Sequence, residues 1–88
     1  MSTLQFTERA LIARERPTGK SRAALERALI QLATTGRIPS EKPLPSKADS
    51  TIWAARIDGD LRLLFAKKDD KIVVLDIVRR SESSRDLP

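Results

Sequence analysis

Residues 51–80 read TIWAARIDGDLRLLFAKKDDKIVVLDIVRR, and this stretch decides the fold. It contains three short runs of apolar and β-branched residues, separated by Asp-Gly-Asp and by Lys-Lys-Asp-Asp. We therefore expect a three-stranded antiparallel meander. The last run, residues 72–78, is almost continuously apolar, as in a strand with neighbours or cover on both faces, and we place it at the sheet centre.

The first turn sets the hairpin register and so decides which side chains share a face. A three-residue loop at residues 58–60 places Arg56 opposite Arg62, whereas a two-residue loop mixes charged and apolar residues on both faces. Two opposed guanidinium groups either bind an anion between them or are solvated and paired with acids such as Asp76, and spacing alone favours neither. The three-residue loop also gathers apolar side chains on the other face: Trp53, Ile57, Leu61 and Phe65.

The first half of the chain has helical periodicity. Thr18 or Ser21 can cap a helix that runs to Thr35, and Gly36 can close it in the left-handed conformation. A shorter helix over residues 8–16 ends before Pro17. The apolar stripe of the longer helix recurs every three or four residues: Ala24, Leu25, Ala28, Leu29 and Leu32.

Three further segments have weaker patterns. Residues 4–6 either form a short strand or lead into Thr7 as a helix cap. Residues 36–50 contain three prolines among polar neighbours, which indicates a connector between helices and sheet. The polar tail, residues 81–88, is too poor in apolar residues to order on its own and is expected to order on a partner.

Composition limits the chemistry. With 88 residues, of which 40% are hydrophobic, residues 1–88 form one small domain, and a two-domain enzyme is excluded. Cys and His are absent, so disulfides, thiolate nucleophiles, imidazole bases and Cys/His zinc sites are excluded. The net charge of +5 favours polyanions or acidic protein surfaces as partners. No signal peptide or membrane span is visible, so we expect a cytoplasmic protein.

The order of these pieces resembles a known family. FTERAL, the helix SRAALERALIQL, a connector ending in EKPLP, the hairpin IWAARIDGDLRLLF and the strand IVVLDIVRRSES follow one another over Phe6 to Glu82. This pattern resembles the RelE/ParE superfamily, the toxins of bacterial type II toxin–antitoxin systems. The resemblance implies an α+β fold like that of microbial ribonucleases, with two N-terminal helices packed on one face of a small, twisted antiparallel β-sheet.

The resemblance also implies a function and a site. RelE-like members cut messenger RNA in the ribosomal A site without metal or cofactor, using basic residues of the sheet. Arg62 matches the family's arginine after the hairpin turn, Arg80 the one following the last strand, and Arg56 a basic position before the turn; these three are the catalytic candidates. Around them, four residues are candidate RNA-binding groups or else simply solvated charges: Lys47, Lys67, Lys68 and Arg79.

Departures from the family pattern leave other functions open. Ala54 stands where some members have a second strand lysine, and Ser84 or its neighbours where many have a catalytic Tyr or His. A ParE-like inhibitor of DNA gyrase without nuclease activity is therefore one alternative, and a noncatalytic basic protein that binds RNA or the ribosome is another. Either toxin class implies a cognate antitoxin, an acidic and partly disordered protein that links the toxin to operator DNA only indirectly.

Overall fold

The computed structural model describes residues 3–44 and 51–79. The elements are β1 (Thr3–Phe6), α1 (Glu8–Arg14), α2 (Gly19–Thr35), β2 (Lys42–Leu44), β3 (Ile52–Arg56), β4 (Leu61–Lys68) and β5 (Lys71–Arg79). The strands form one sheet in the order β1-β5-β4-β3-β2, in which β1 runs parallel to β5 and all other neighbours are antiparallel. Two helices pack on this mostly antiparallel sheet, which confirms the expected α+β class.

The β3–β4 hairpin has the predicted register. Arg56 lies opposite Arg62, and the backbone N–H of Ile57 donates to the Leu61 carbonyl at 2.8 Å. The Asp58 carboxylate closes the three-residue loop by accepting from the backbone N–H groups of Asp60 at 2.9 Å and Leu61 at 3.0 Å. Local hydrogen bonding therefore fixes the register that the apolar alternation required.

The sheet is larger than the predicted meander. The segment at residues 4–6 is part of a strand, β1, which settles the alternative left open by the sequence. Interpreting residues 36–50 only as a connector was wrong, because β2 pairs there with β3. Pro43 is tolerated because β2 is an edge strand, where a missing N–H donor breaks no interior ladder. The central strand is β4; β5 lies next to it rather than at the centre, because β1 and β2 extend the sheet at opposite edges.

Both helices begin and end near the predicted positions. The Thr7 hydroxyl accepts from Ala10 N–H at 3.1 Å and donates to the Leu75 carbonyl at 2.7 Å, which ties the start of α1 to β5. Thr18 occupies the N-cap of α2 without a side-chain hydrogen bond, and Gly36 closes the helix in the left-handed conformation, with φ of 75°. No helix in the described ranges is long and apolar enough to cross a bilayer.

The core lies between α2 and one face of the sheet. Leu63, Phe65 and Val74 of β4 and β5 are completely buried. Removal of such a side chain from water contributes about 1.5–3 kcal/mol. Trp53 and Ile57 pack against the core as partly buried residues, as the register predicts. The stripe of α2 faces the same core through four buried residues: Leu25, Ala28, Leu29 and Leu32.

Candidate functional site

Two arginines project from the sheet face that points away from the core. The side chains of Leu61 and Leu63 in β4 are buried on the core side, so strand alternation places the intervening Arg62 on the other face. Arg56 is directly opposite, at the end of β3. Directly opposed residues have Cβ atoms about 4.5–5.5 Å apart. The hairpin therefore places the two arginine side chains next to each other on this face.

The turn that positions this pair is anchored to α2. The Ser21 hydroxyl, which was a candidate helix cap, instead donates to Asp58 Oδ2 at 2.5 Å. This hydrogen bond is the largest cause of a lowered pKa of the Asp58 carboxyl. The hydrogen bonds from the backbone N–H groups of Asp60 and Leu61 lower that pKa further. The loop between the two arginine-bearing strands thus carries an ionised, hydrogen-bonded carboxylate that connects it to the helical layer.

No acidic residue within the described ranges neutralises the two arginines. The ion pairs formed among residues 3–44 and 51–79 include neither Arg56 nor Arg62. Asp76, which the sequence offered as a partner, lies opposite Leu64 and contacts Arg9 of α1 at 3.9 Å. The arrangement therefore leaves two like charges together on a solvent-accessible surface, where an anion can bind both.

A cleft of about 370 Å³ runs from this pair toward the edge of the sheet. The Ser40 hydroxyl donates to the Arg56 carbonyl at 2.9 Å and closes one end. Lys42 lies opposite Ala54, on the same face as Arg56, so it is a third cation of the cleft. The walls combine small or apolar residues with these polar ones: Ser40, Lys42, Leu44, Ala54, Ala55, Arg56 and Arg62.

Sequence reasoning did not place Lys42 in the site. A residue in a segment interpreted as a connector has no strand parity, so its face was undetermined. The signal was the alternation of Lys42, Pro43 and Leu44, in which a lysine and a proline mark an edge strand. Lys42, Arg56 and Arg62 together form the cation cluster of this cleft.

Lys67 and Lys68 are not near the cation cluster. Lys67 lies on the helix side of the sheet, where its Nζ is 2.5 Å from Glu41 Oε2 and 4.6 Å from the centre of the Trp53 ring. Lys68 shares a face with Arg62 but lies six residues further along β4, about 20 Å away at 3.3 Å per residue. Neither lysine joins the arginine pair at one phosphate.

The remaining candidates are at the chain's C-terminal strand and in the connector. Arg79 lies in register with Leu61, whose side chain faces the core, so Arg79 leaves β5 on the side opposite Arg62. Lys47 and Arg80 lie outside the described residues, as does Ser84. Within the described ranges, no group of three or more acidic residues is placed to hold a metal ion.

Comparison with known proteins identifies the fold. No protein-family model matches the chain, and no curated protein sequence matches it. Solved structures do match. The isolated Escherichia coli RelE toxin has a TM-score of 0.68 and 23% identity, with 100% of both chains covered.

The structures of two protein complexes match as well. The archaeal RelE–RelB complex from Pyrococcus horikoshii OT3 gives a TM-score of 0.73 at 16% identity, over 90% of this chain and 94% of that chain. The E. coli DinJ–YafQ complex gives a TM-score of 0.73 at 13% identity, over 93% of this chain and 97% of that chain. The chain therefore has the fold of the RelE-type toxins.

Proposed function

We propose that this protein is the toxin of a type II toxin–antitoxin system and acts as a metal-independent endoribonuclease on messenger RNA in the ribosomal A site. One observation carries the proposal: a RelE-like sheet holds Arg56 directly opposite Arg62 with no acidic partner among the described residues. Opposed arginines are mildly destabilising unless an anion lies between them. A phosphodiester is an anion of suitable charge and geometry.

The reaction requires charge stabilisation at phosphorus. The ribose 2′-oxygen attacks the adjacent phosphorus and the bond to the 5′-oxygen breaks, which gives a 2′,3′-cyclic phosphate and a 5′-hydroxyl. Negative charge on the phosphoryl oxygens increases in the transition state, so Arg56 and Arg62 bind that state more strongly than the ground state. A preorganised donor of this kind typically contributes about 10²–10³ in rate.

The test is primer extension on a messenger RNA translated in a purified system, with a ribosome-free control. Wild-type protein is expected to give ribosome-dependent cuts, and Arg62→Ala to reduce them about 100-fold or more. Arg27→Ala is the matched control, because Arg27 is an exposed arginine of α2, in the helical layer. Absence of cuts at saturating wild-type protein would refute the nuclease and leave gyrase inhibition or noncatalytic binding, which a DNA-supercoiling assay separates.

The proposal includes an acidic, partly disordered antitoxin as partner, through which alone the toxin reaches operator DNA. The net charge of +5 and the complexes formed by proteins of the same fold support this partner. A groove beside α1 combines exposed Ile12 with Arg9 and Arg16, which suits a peptide with both acidic and apolar side chains. Action on ribosomes places the protein in the cytoplasm.

Growth provides the test of the antitoxin proposal. Expression of the chain is expected to arrest growth, and co-expression of a short acidic protein encoded beside it is expected to restore growth. Restoration should weaken when Arg9 and Arg16 are both replaced by Glu, because repulsion then replaces attraction in the groove. Undiminished restoration would exclude this groove as the antitoxin contact.

A further inference from the structure

We propose that Lys42 is a catalytic residue that donates the proton to the departing 5′-oxygen. This inference rests on the ribonuclease function proposed above and adds a residue to the same site. The sheet register brings Lys42 of the edge strand β2 directly opposite Ala54 of β3. Ala54 itself has no ionisable group. The positive charge at this point of the sheet face therefore comes from Lys42 of the neighbouring strand.

The geometry places Lys42 within reach of a phosphate held by the arginines. Lys42 pairs with Ala54, and Arg56 lies two residues further along β3, so Lys42 and Arg56 are diagonal neighbours about 7–8 Å apart. All three cations line the same cleft. Lys42 is exposed, and the ion pairs among the described residues do not include it. Its ammonium group is therefore not committed to a structural partner.

The backbone preceding Lys42 is held at several points. Ser40 donates to the Arg56 carbonyl of β3 at 2.9 Å. Glu41 accepts from the Ile38 backbone N–H at 2.7 Å through one carboxylate oxygen and from Lys67 Nζ through the other. The residues just before the short strand are thus held to β3 and β4 of the sheet. A positioned donor is what general acid catalysis needs.

Among residues 3–44 and 51–79, the cleft has one side chain suited to proton transfer. A guanidinium stays protonated in proteins and acts as a planar, bidentate ligand, whereas an ammonium is a compact donor that exchanges its proton. The Ser40 hydroxyl is already used to donate to the backbone. In the part of the chain that the structure describes, the polar residues that line the cleft are Ser40 and the cation cluster, so Lys42 is the one of these suited to release a proton to an alkoxide.

Two proton transfers accompany cleavage of the phosphodiester. The 2′-oxygen forms its bond to phosphorus while its proton passes to water. The bond between phosphorus and the 5′-oxygen breaks, and the electron pair stays on the 5′-oxygen. Lys42 Nζ gives that oxygen a proton, and the resulting amine regains one from water. Arg56 and Arg62 remain protonated throughout and hold the phosphoryl oxygens.

The experiment compares two messenger RNAs in the purified translation system. One has the natural phosphodiester, and the other has sulfur in place of the scissile 5′-oxygen; a thiolate leaves without prior protonation. On the natural RNA, Lys42→Ala and Lys42→Arg are each expected to be about 100-fold slower than wild type. On the sulfur-containing RNA both variants should approach the wild-type rate, whereas Arg62→Ala should stay slow on both RNAs.

Control variants distinguish loss of proton donation from loss of folding or loss of charge. Lys20→Ala removes an exposed lysine of α2 and should match wild type on both RNAs, and urea unfolding checks that the Lys42 variants are folded. Lys42→Arg with wild-type activity on the natural RNA would show that only charge matters and overturn the proposal. Failure of sulfur to restore Lys42→Ala would overturn it as well. A wild-type protein that cuts neither RNA would instead refute the ribonuclease function itself, and the inference with it.

Discussion

The Arg56–Arg62 pair is expected to oppose folding while it serves binding. Directly opposed residues have Cβ atoms about 5 Å apart, and two unit charges held at that separation in water repel by 332/(80 × 5), or about 0.8 kcal/mol. This value is an upper limit, because the long arginine side chains can separate their guanidinium groups further. Arg62 is half-buried, so a single substitution also removes packing contacts. A double-mutant cycle with Arg56→Gln, Arg62→Gln and the double variant cancels those contacts and leaves the repulsion.

The assay is urea unfolding followed by circular dichroism, because guanidinium chloride would itself screen the charges. At 10 mM salt the screening length is about 30 Å, so screening removes little of the repulsion and an unfavourable coupling of up to about 0.8 kcal/mol should appear. With a slope near 1 kcal/mol per molar urea, this corresponds to a shift of up to about 0.8 M in the unfolding midpoint. At 1 M NaCl the screening length falls to about 3 Å and the coupling should nearly vanish.

Repeating the double-mutant cycle in inorganic phosphate tests whether the arginine pair binds an anion. At equal ionic strength, phosphate should reduce the unfavourable coupling more than chloride does, because an oxyanion can accept hydrogen bonds from both guanidinium groups. Coupling that is favourable at low salt, or that keeps its size in 1 M NaCl, would refute the claim that these two charges face each other without an acid between them.

Three further predictions concern the scaffold. Asp58→Asn should destabilise the protein by about 1–2 kcal/mol at pH 7, since hydrogen bonds to a charged group are lost. Because its folded pKa lies below the ordinary 3.8, the carboxylate stabilises the fold fully above that value and loses this contribution as pH falls through the folded pKa; the variant should show a flatter stability profile below about pH 4. Lys67→Ala should cost about 1–2 kcal/mol in urea unfolding, because the nearly buried Glu41 carboxylate loses its cationic partner and keeps only the hydrogen bond from the Ile38 backbone N–H. Gly36→Ala should cost about 1–2 kcal/mol in thermal unfolding, since alanine is strained at a φ of 75°. An unchanged unfolding midpoint would contradict the ion pair in the case of Lys67→Ala and the left-handed helix end in the case of Gly36→Ala.

The sequence predicted the parts of the fold that follow from local patterns. The Arg56–Arg62 register follows from apolar alternation on both sides of a three-residue loop, and Gly36 marks a helix end because few residues adopt its backbone conformation. The strand β2 was not predictable in the same way, because prolines are rare in strands and only an edge position accommodates Pro43. Because β2 was not predicted, the sheet face on which Lys42 lies could not be predicted either.

Other features depend on contacts between distant segments. A bulge shifts the β4–β5 register between Leu64 and Phe65, and parity counted from the sequence cannot reveal an inserted residue. The hydrogen bond from Ser21 to Asp58 joins residues that are 37 positions apart, so helix-capping preferences misassigned Ser21. Lys67 shares a run of charges with Lys68, yet the pleat sends the two side chains to opposite faces.

The parallel pairing of β1 with β5 has a consequence for how the chain reaches its native state. Thr3 aligns with Lys71, and the Thr7 hydroxyl bonds to the Leu75 carbonyl across 68 positions. Contacts of such large sequence separation raise the contact order and form late, whereas the β3–β4 hairpin closes across a loop of three residues. We expect the two arginines to come together early in folding, before the N-terminal strand docks. Completion of the native sheet then waits for nearly the whole chain.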